Sequence, residues 1–383
     1  IISHCALCKG QRTVSDMDML RSAKRILPAL PAIIFAAALI WAGRECAAEC
    51  AKAAALCIST LIPSLFAFTA ASKLLISTDA YKLLGRPFSL FSRYILRLPE
   101  EFFPVFIISQ LAGYPVGASL MGGLYDNGRI TRSQAEEYLC FCIAPGPAYI
   151  MAVSSIAAPE CRGAWIPVML AVAGTNLLAA VLSAPFRELP RRSSEKIHPK
   201  LSAEDITAAA VGASESMTMI CAMVLLMAAL MGIFTKAGLL SAISLLTARF
   251  TVIPPAEIYP FVRAFFEISN LSGVFGDPTV TLPFCSAMLC FGGLCVHMQI
   301  KAVCRGFSTL RAVILRVPMA VVSYFLCRRL IPKFYTVSVI AVSAPVSDES
   351  IKFSDYSPML SIILLIMTIL ILSQKNIAKP KKM

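Results

Sequence analysis

Glu267 stands in the run IYPFVRAFFEISNLSGVFG (258–276), with Asn270 three residues on and Arg263 one turn before it. A carboxyl in so apolar a segment is costly at membrane depth and is read first as functional, as a cation or proton relay. An ion pair with Arg263 is the structural alternative. Gln110 and Gln299 lie in similar surroundings. Each can donate and accept, which suits a polar ring or a carboxylate held in a cavity. His297 is able to carry a proton near neutral pH, and a histidine satisfied at the inner interface is the alternative. Glu215, between Ser214 and Ser216, is a further buried-acid candidate. Tyr114 packs or binds. No enzyme signature joins these residues. GxSxG, HExxH, a P-loop and a dinucleotide fingerprint are all missing, and the histidines are scattered at 4, 198 and 297. An enzyme is not expected, nor an ATP-driven pump unless a separate subunit supplies the nucleotide fold.

These side chains sit beside interruptions of apolar segments. QLAGYPVGA (110–118) brings Gly113, Pro115 and Gly117 next to Gln110 and Tyr114; CIAPGPAYI (142–150) carries Pro145, Gly146 and Pro147. FFEISNLSG (265–273) holds Glu267 and Asn270, and CFGGLCVHM (290–298) holds Gly292, Gly293 and His297. Unpaired backbone groups cannot face lipid, so a helix broken at depth must abut protein or a water-filled cavity. The break leaves positive N-terminal ends that favour anionic groups and free carbonyls that favour cations. One such break is an ordinary kink. Four in matched order across two halves point to a substrate site, with the listed residues as its candidate contacts.

The medium follows from composition. The chain has 383 residues, 57% hydrophobic and 15% charged, with a mean hydropathy of +0.74; soluble domains carry about 25% charged residues. Several windows reach the ~20 apolar residues needed to span a bilayer. The fold class expected is an all-α polytopic membrane protein with inverted repeats, re-entrant hairpins and broken transmembrane helices. The net charge of +13 lies in short loops and at the two ends, where it orients the spans with both termini inside. It forms no aromatic-interleaved basic patch, so nucleic acid is not expected as a partner. The lipid bilayer and a small-molecule substrate are, and a homo-oligomer is compatible. No cofactor is expected, and a coupling cation, Na+ or H+, stays open. Most of the 14 cysteines lie in apolar segments and read as small hydrophobes. Cys5-x2-Cys8 after His4 is at most half a zinc site, because no second pair follows nearby, and no metal site is expected.

The organisation expected is a tail over 1–20, with translation beginning at Met17 or Met19, then a first membrane repeat over 21–185. A basic cytoplasmic loop (186–205), a second repeat (206–331), a polar loop (332–357) and a C-terminal helix with a basic tail (358–383) follow. Within the first repeat, spans are expected at Ile26–Gly43 and from Ala53 to about Ile76, with RECAAECAK as an outer connector. Residues 77–101 read as an amphipathic helix on the inner surface.

The stretch QLAGYPVGASLMGGLYDNGRITRSQAEEYLCF (110–141) resembles the YlbJ-type sporulation integral membrane proteins of endospore-forming Firmicutes, within the nucleoside-recognition or Gate domain group. The family's Ser-Gly-Tyr-Pro-Val-Gly-Ala-like element, Gly-x-Ile-Ser/Thr-Arg loop and Glu-Arg/Glu-x-Leu helix correspond to Ala112–Ala118, Gly128–Arg132 and Glu136–Leu139. Phe266–Ser269 is similar to its Glu-Ile-Thr element, and FGGLCVHMQI (291–300) to its Phe-Gly-Gly-Leu-Ser-Val-His-x-Gln element. The resemblance covers about residues 20–331. The chain departs from it at Asn270, where a glycine is usual, and at Ala144–Pro147. The resemblance implies kinship with concentrative nucleoside transporters and a role in spore maturation, moving dipicolinic acid across the outer forespore membrane. The alternatives are a nucleoside or nucleobase carrier and a non-transporting scaffold for spore-envelope assembly.

Overall fold

The structure, a computed structural model, describes residues 29–82, 88–99, 102–161, 163–188, 201–251 and 253–334. The tail with Cys5 and Cys8, most of the basic loop, the polar loop and the C-terminal helix expected from the sequence lie outside the described residues. Every regular element among the described residues is helical. The first half contains α1 (Leu30–Trp41), α2 (Gly43–Leu56), α3 (Ile62–Ser77), α4 (Phe102–Ala112), α5 (Tyr114–Asp126), α6 (Arg132–Leu139), α7 (Pro147–Ala157) and α8 (Trp165–Ser183). The second contains α9 (Ala203–Lys236), α10 (Leu239–Ala248), α11 (Pro255–Phe266), α12 (Pro278–Phe291), α13 (Gly293–Val303) and α14 (Leu310–Phe334).

Four helical stretches are long and apolar enough to cross a membrane: Trp165–Phe186, Ala203–Lys236, Pro278–Val303 and Leu310–Phe334. A fifth results if the bent pair Leu30–Trp41 and Gly43–Ser59, which turns by 91°, counts as one. That bend corrects the expected first span. RECAAECAK is not a connector but part of α2, because its alanines favour helix and its polar residues find partners on α9 and α11. Cys46 Sγ donates to Ala229 O and Cys50 Sγ to Leu225 O. Glu45 accepts from Lys236 at 2.9 Å, and Glu49 accepts from Arg263. A π-helical turn, Cys57–Leu61, then carries α2 into α3. Together α2 and α3 run along α9, while α8, α12 and α14 pack on one another, with Ser286 and Ser323 hydroxyls 2.7 Å apart between α12 and α14. In the segment expected as an amphipathic helix, the described part forms a short π-helix over Phe91–Ile95.

Contacts between distant residues define two ends of this bundle. At one, Arg187 donates to Glu137 and to Leu96 O, Ser308 N–H donates to Glu136, Tyr125 meets Phe307 edge-on, and Arg129 pairs with Asp79. At the other, Gly163 lies against Phe334 O, Gly276 against the Glu257 carboxyl, and Glu45 pairs with Lys236. The long helices run between the two sets, with α8 descending from Trp165 toward Arg187 and α14 returning from Ser308 to Phe334.

Glu136, at the first end and outside the spanning helices, is held below its ordinary carboxyl value by the Ser308 N–H and by Arg132. A carboxylate whose folded pKa is depressed stabilises the fold above its unfolded value of about 4.3 and loses that contribution as pH falls through the folded value. Thermal midpoints of the detergent-purified chain are therefore expected to drop between about pH 5 and 3.5, and less so in Glu136→Gln. Equal acid sensitivity of the two would show that this contact contributes nothing.

Candidate functional site

Where α4 should continue, Gly113 adopts φ +94°, a conformation closed to residues with a side chain, and α5 starts afresh at Tyr114 with Pro115 in its first turn. The chain from Cys140 to Gly146 is non-helical, and α7 begins at Pro147. Two helix N-termini thus face one another: a Cβ on Gly146 would lie 3.7 Å from Gly113 N and 3.5 Å from Leu111 O. In the second half α11 ends at Phe266, Glu267 is extended (φ −137°), and a 3-10 turn follows over Ile268–Gly273. Between α12 and α13, Gly292 takes φ +94°.

A cavity of about 140 Å3 lies where these interruptions meet. Gly113, Tyr114 and Pro115, then Gly146, Ala148, Tyr149 and Ala152, then Glu267, Ile268 and Ser269, and finally Val296 and Gln299 line it. Leu56, Leu61 and Leu65 on the α2–α3 side and Ile220 and Val224 on α9 complete the wall. An apolar cavity of about 150 Å3 holds a benzene ring, which sets the size class of an occupant. Glu267 is 6% exposed. One carboxyl oxygen accepts from Ser269 N–H at 3.3 Å; the other has no hydrogen-bond partner, although the Cys295 thiol lies beside the group.

The polar side chains expected as ligands divide into two groups. Glu267, Gln299, Gly113, Tyr114, Pro115 and Gly146 line the cavity. Several of the others tie the breaks together. Gln110 donates to Phe141 O at 3.1 Å and accepts from Asn176 at 2.7 Å, so both ends of its amide are engaged. The Tyr114 hydroxyl donates to Leu289 O at 2.6 Å, one turn before Gly292. Gly117 is pressed against the Cys142 carbonyl, and Pro145 is buried behind Gly146, while Pro147 opens α7. Gly293 brings the start of α13 against Ala264 O.

Three expectations need correction. Arg263 pairs with Glu49 and, at 2.9 Å, with Asn270 Oδ1, not with Glu267, because α11 turns its last arginine toward α2. Asn270 is thereby an anchor of the 3-10 turn and is not among the lining residues. His297 faces the other side of α13, edge-on to Phe291 and in a separate groove with Met227 and Phe234. Glu215 is exposed near the start of α9.

Arg316, Asn176 and Tyr149 escaped the sequence reading. Arg316 is fully buried and donates to Cys290 O at 2.9 Å, to Cys140 O at 3.2 Å and to Ile143 O. Asn176 also donates to Ile143 O, and the Tyr149 hydroxyl to Ile268 O at 2.7 Å. The signal for Arg316 was present: an arginine six residues into an apolar span is either paired or functional.

No family model, no curated protein and no solved structure matches the chain.

Proposed function

We propose that the chain is a secondary membrane transporter of a small anionic ring metabolite, moving dipicolinate across the outer forespore membrane during spore maturation. The observation that carries this reading is the meeting of interruptions from both halves of the chain at one mid-bundle cavity. Breaks in corresponding positions of two repeats are the best pointer to a transporter's binding site. Re-entrant, inverted repeats are supported by the contacts at the bundle ends. The α4–α5 segment lies between Leu98 and Tyr125, which belong to the Arg187 end, whereas Gly276 returns to Glu257 at the opposite end. The N-termini of α5 and α7 bear on the cavity and favour negative charge there. Glu267 and Gln299 supply the hydrogen-bonding groups opposite.

One observation favours a second reading, a nucleoside or nucleobase carrier: no lysine or arginine is among the lining residues, which suits a neutral hydrogen-bonding ring. Transport by the full chain in proteoliposomes separates the two. Labelled dipicolinate is expected to enter, with unlabelled dipicolinate competing and uridine without effect. Uridine entry insensitive to dipicolinate would establish the second reading, and entry of neither would reject both in favour of the scaffold.

A further inference from the structure

We propose that Arg316 is a built-in cation that takes the carbonyl positions a sodium ion would need, so that the chain has no Na+ site at its helix breaks and carries substrate independently of Na+. The second half of that statement rests on the transport reading above; the first does not.

Interrupted helices in carriers hold Na+ on unwound carbonyls and on half-helix C-terminal ends. Here the exposed carbonyls are those that follow α6 and those that close α12. The Arg316 guanidinium donates to Cys140 O and Ile143 O at the first and to Cys290 O at the second, joining the two breaks from its place on α14. Neutral donors meet more of these carbonyls: Gln110 at Phe141 O, Asn176 at Ile143 O and Tyr114 at Leu289 O. No carboxylate touches the guanidinium among the hydrogen bonds of the described residues, yet it is fully buried. Its compensation is the pair of helix C-termini, each carrying roughly half a negative charge. A metal cation on the same oxygens would lie within contact range of a fixed positive charge and be repelled by it. The arrangement also sorts the helix ends by sign. The negative ends of α6 and α12 are neutralised at Arg316, which lines no part of the cavity, while the positive ends of α5 and α7 face the cavity.

The test uses the full chain purified in detergent and then reconstituted. At an ionic strength of about 0.15 M, the thermal midpoint of the wild type is expected to be the same in NaCl as in KCl. A rise specific to Na+ would overturn the proposal. Arg316→Met frees the carbonyls without leaving a charge, and its midpoint is expected to rise specifically in NaCl. A folded Arg316→Met that responds to Na+ no more than the wild type would also overturn it. If Arg316→Met does not fold, Arg316→Lys keeps the charge and is expected to be as Na+-insensitive as the wild type; a Na+-specific rise there counts against the proposal. In liposomes, dipicolinate flux is expected to be equal in NaCl and KCl, and flux confined to NaCl would refute the inference. Flux in neither salt rejects the transport reading alone, because the midpoints still decide whether Arg316 replaces the ion.

Discussion

Glu267→Gln is expected to lower dipicolinate flux by tenfold or more while leaving the fold intact. The substitution is nearly isosteric and keeps an oxygen able to accept from Ser269 N–H. What it removes is the ionisable oxygen without a partner that lines the cavity. A hydrogen bond to a charged group contributes about 1.5–3 kcal/mol, and each 1.4 kcal/mol is a factor of about ten in affinity. Flux in proteoliposomes, compared at equal protein incorporation, is the measurement. Wild-type flux in Glu267→Gln would exclude Glu267 from substrate and proton handling alike. Gln110→Ala is a useful contrast. Its amide holds Phe141 O and Asn176 rather than facing the cavity, so its loss should appear as a lower thermal midpoint.

Gly117→Ala is expected to destabilise the chain by roughly 3 kcal/mol or more, at the upper end of overpacking costs. A Cβ at Gly117 would lie 1.9 Å from Cys142 O and 3.1 Å from the Cys142 carbonyl carbon. The obstacle is backbone, which cannot rotate away as a side chain would. Relief requires α5 and the 140–146 segment to part, which strains the Gln110–Phe141 and Arg316–Cys140 hydrogen bonds. Gly123, two turns along the same helix, is the control, because a Cβ there meets nothing within 4 Å. Gly123→Ala should be neutral or slightly stabilising, since alanine exceeds glycine in a helix by about 0.5–1 kcal/mol. Thermal midpoints of both variants in detergent decide the matter. A Gly117→Ala variant as stable as Gly123→Ala would mean that the close approach of α5 to Cys142 is wrong.

The chain's local chemistry determined its helical class, its apolar spans and the places where helices stop. Those properties depend on residues near in sequence: apolar runs that bury backbone hydrogen bonds within one helix, and Gly or Pro where a donor is missing or φ turns positive. Pro147 opening α7 and Gly113 and Gly292 at positive φ are of this kind. The partner of each polar side chain was not legible, because it is set by elements far apart in the chain. Arg263 and Glu267 are four residues apart and looked like a pair, yet packing delivered Glu49, 214 residues away, to the arginine. Gln110 and Gln299 are the same residue type in similar apolar surroundings; only the tertiary structure sends one to Phe141 O and Asn176 and the other to the cavity wall. Arg316 makes the point most fully. Its burial in an apolar span was visible in the sequence, but its role depends on two helix ends, around residues 140 and 290, being brought to the same guanidinium, and only the packing of α6, α12 and α14 brings them there.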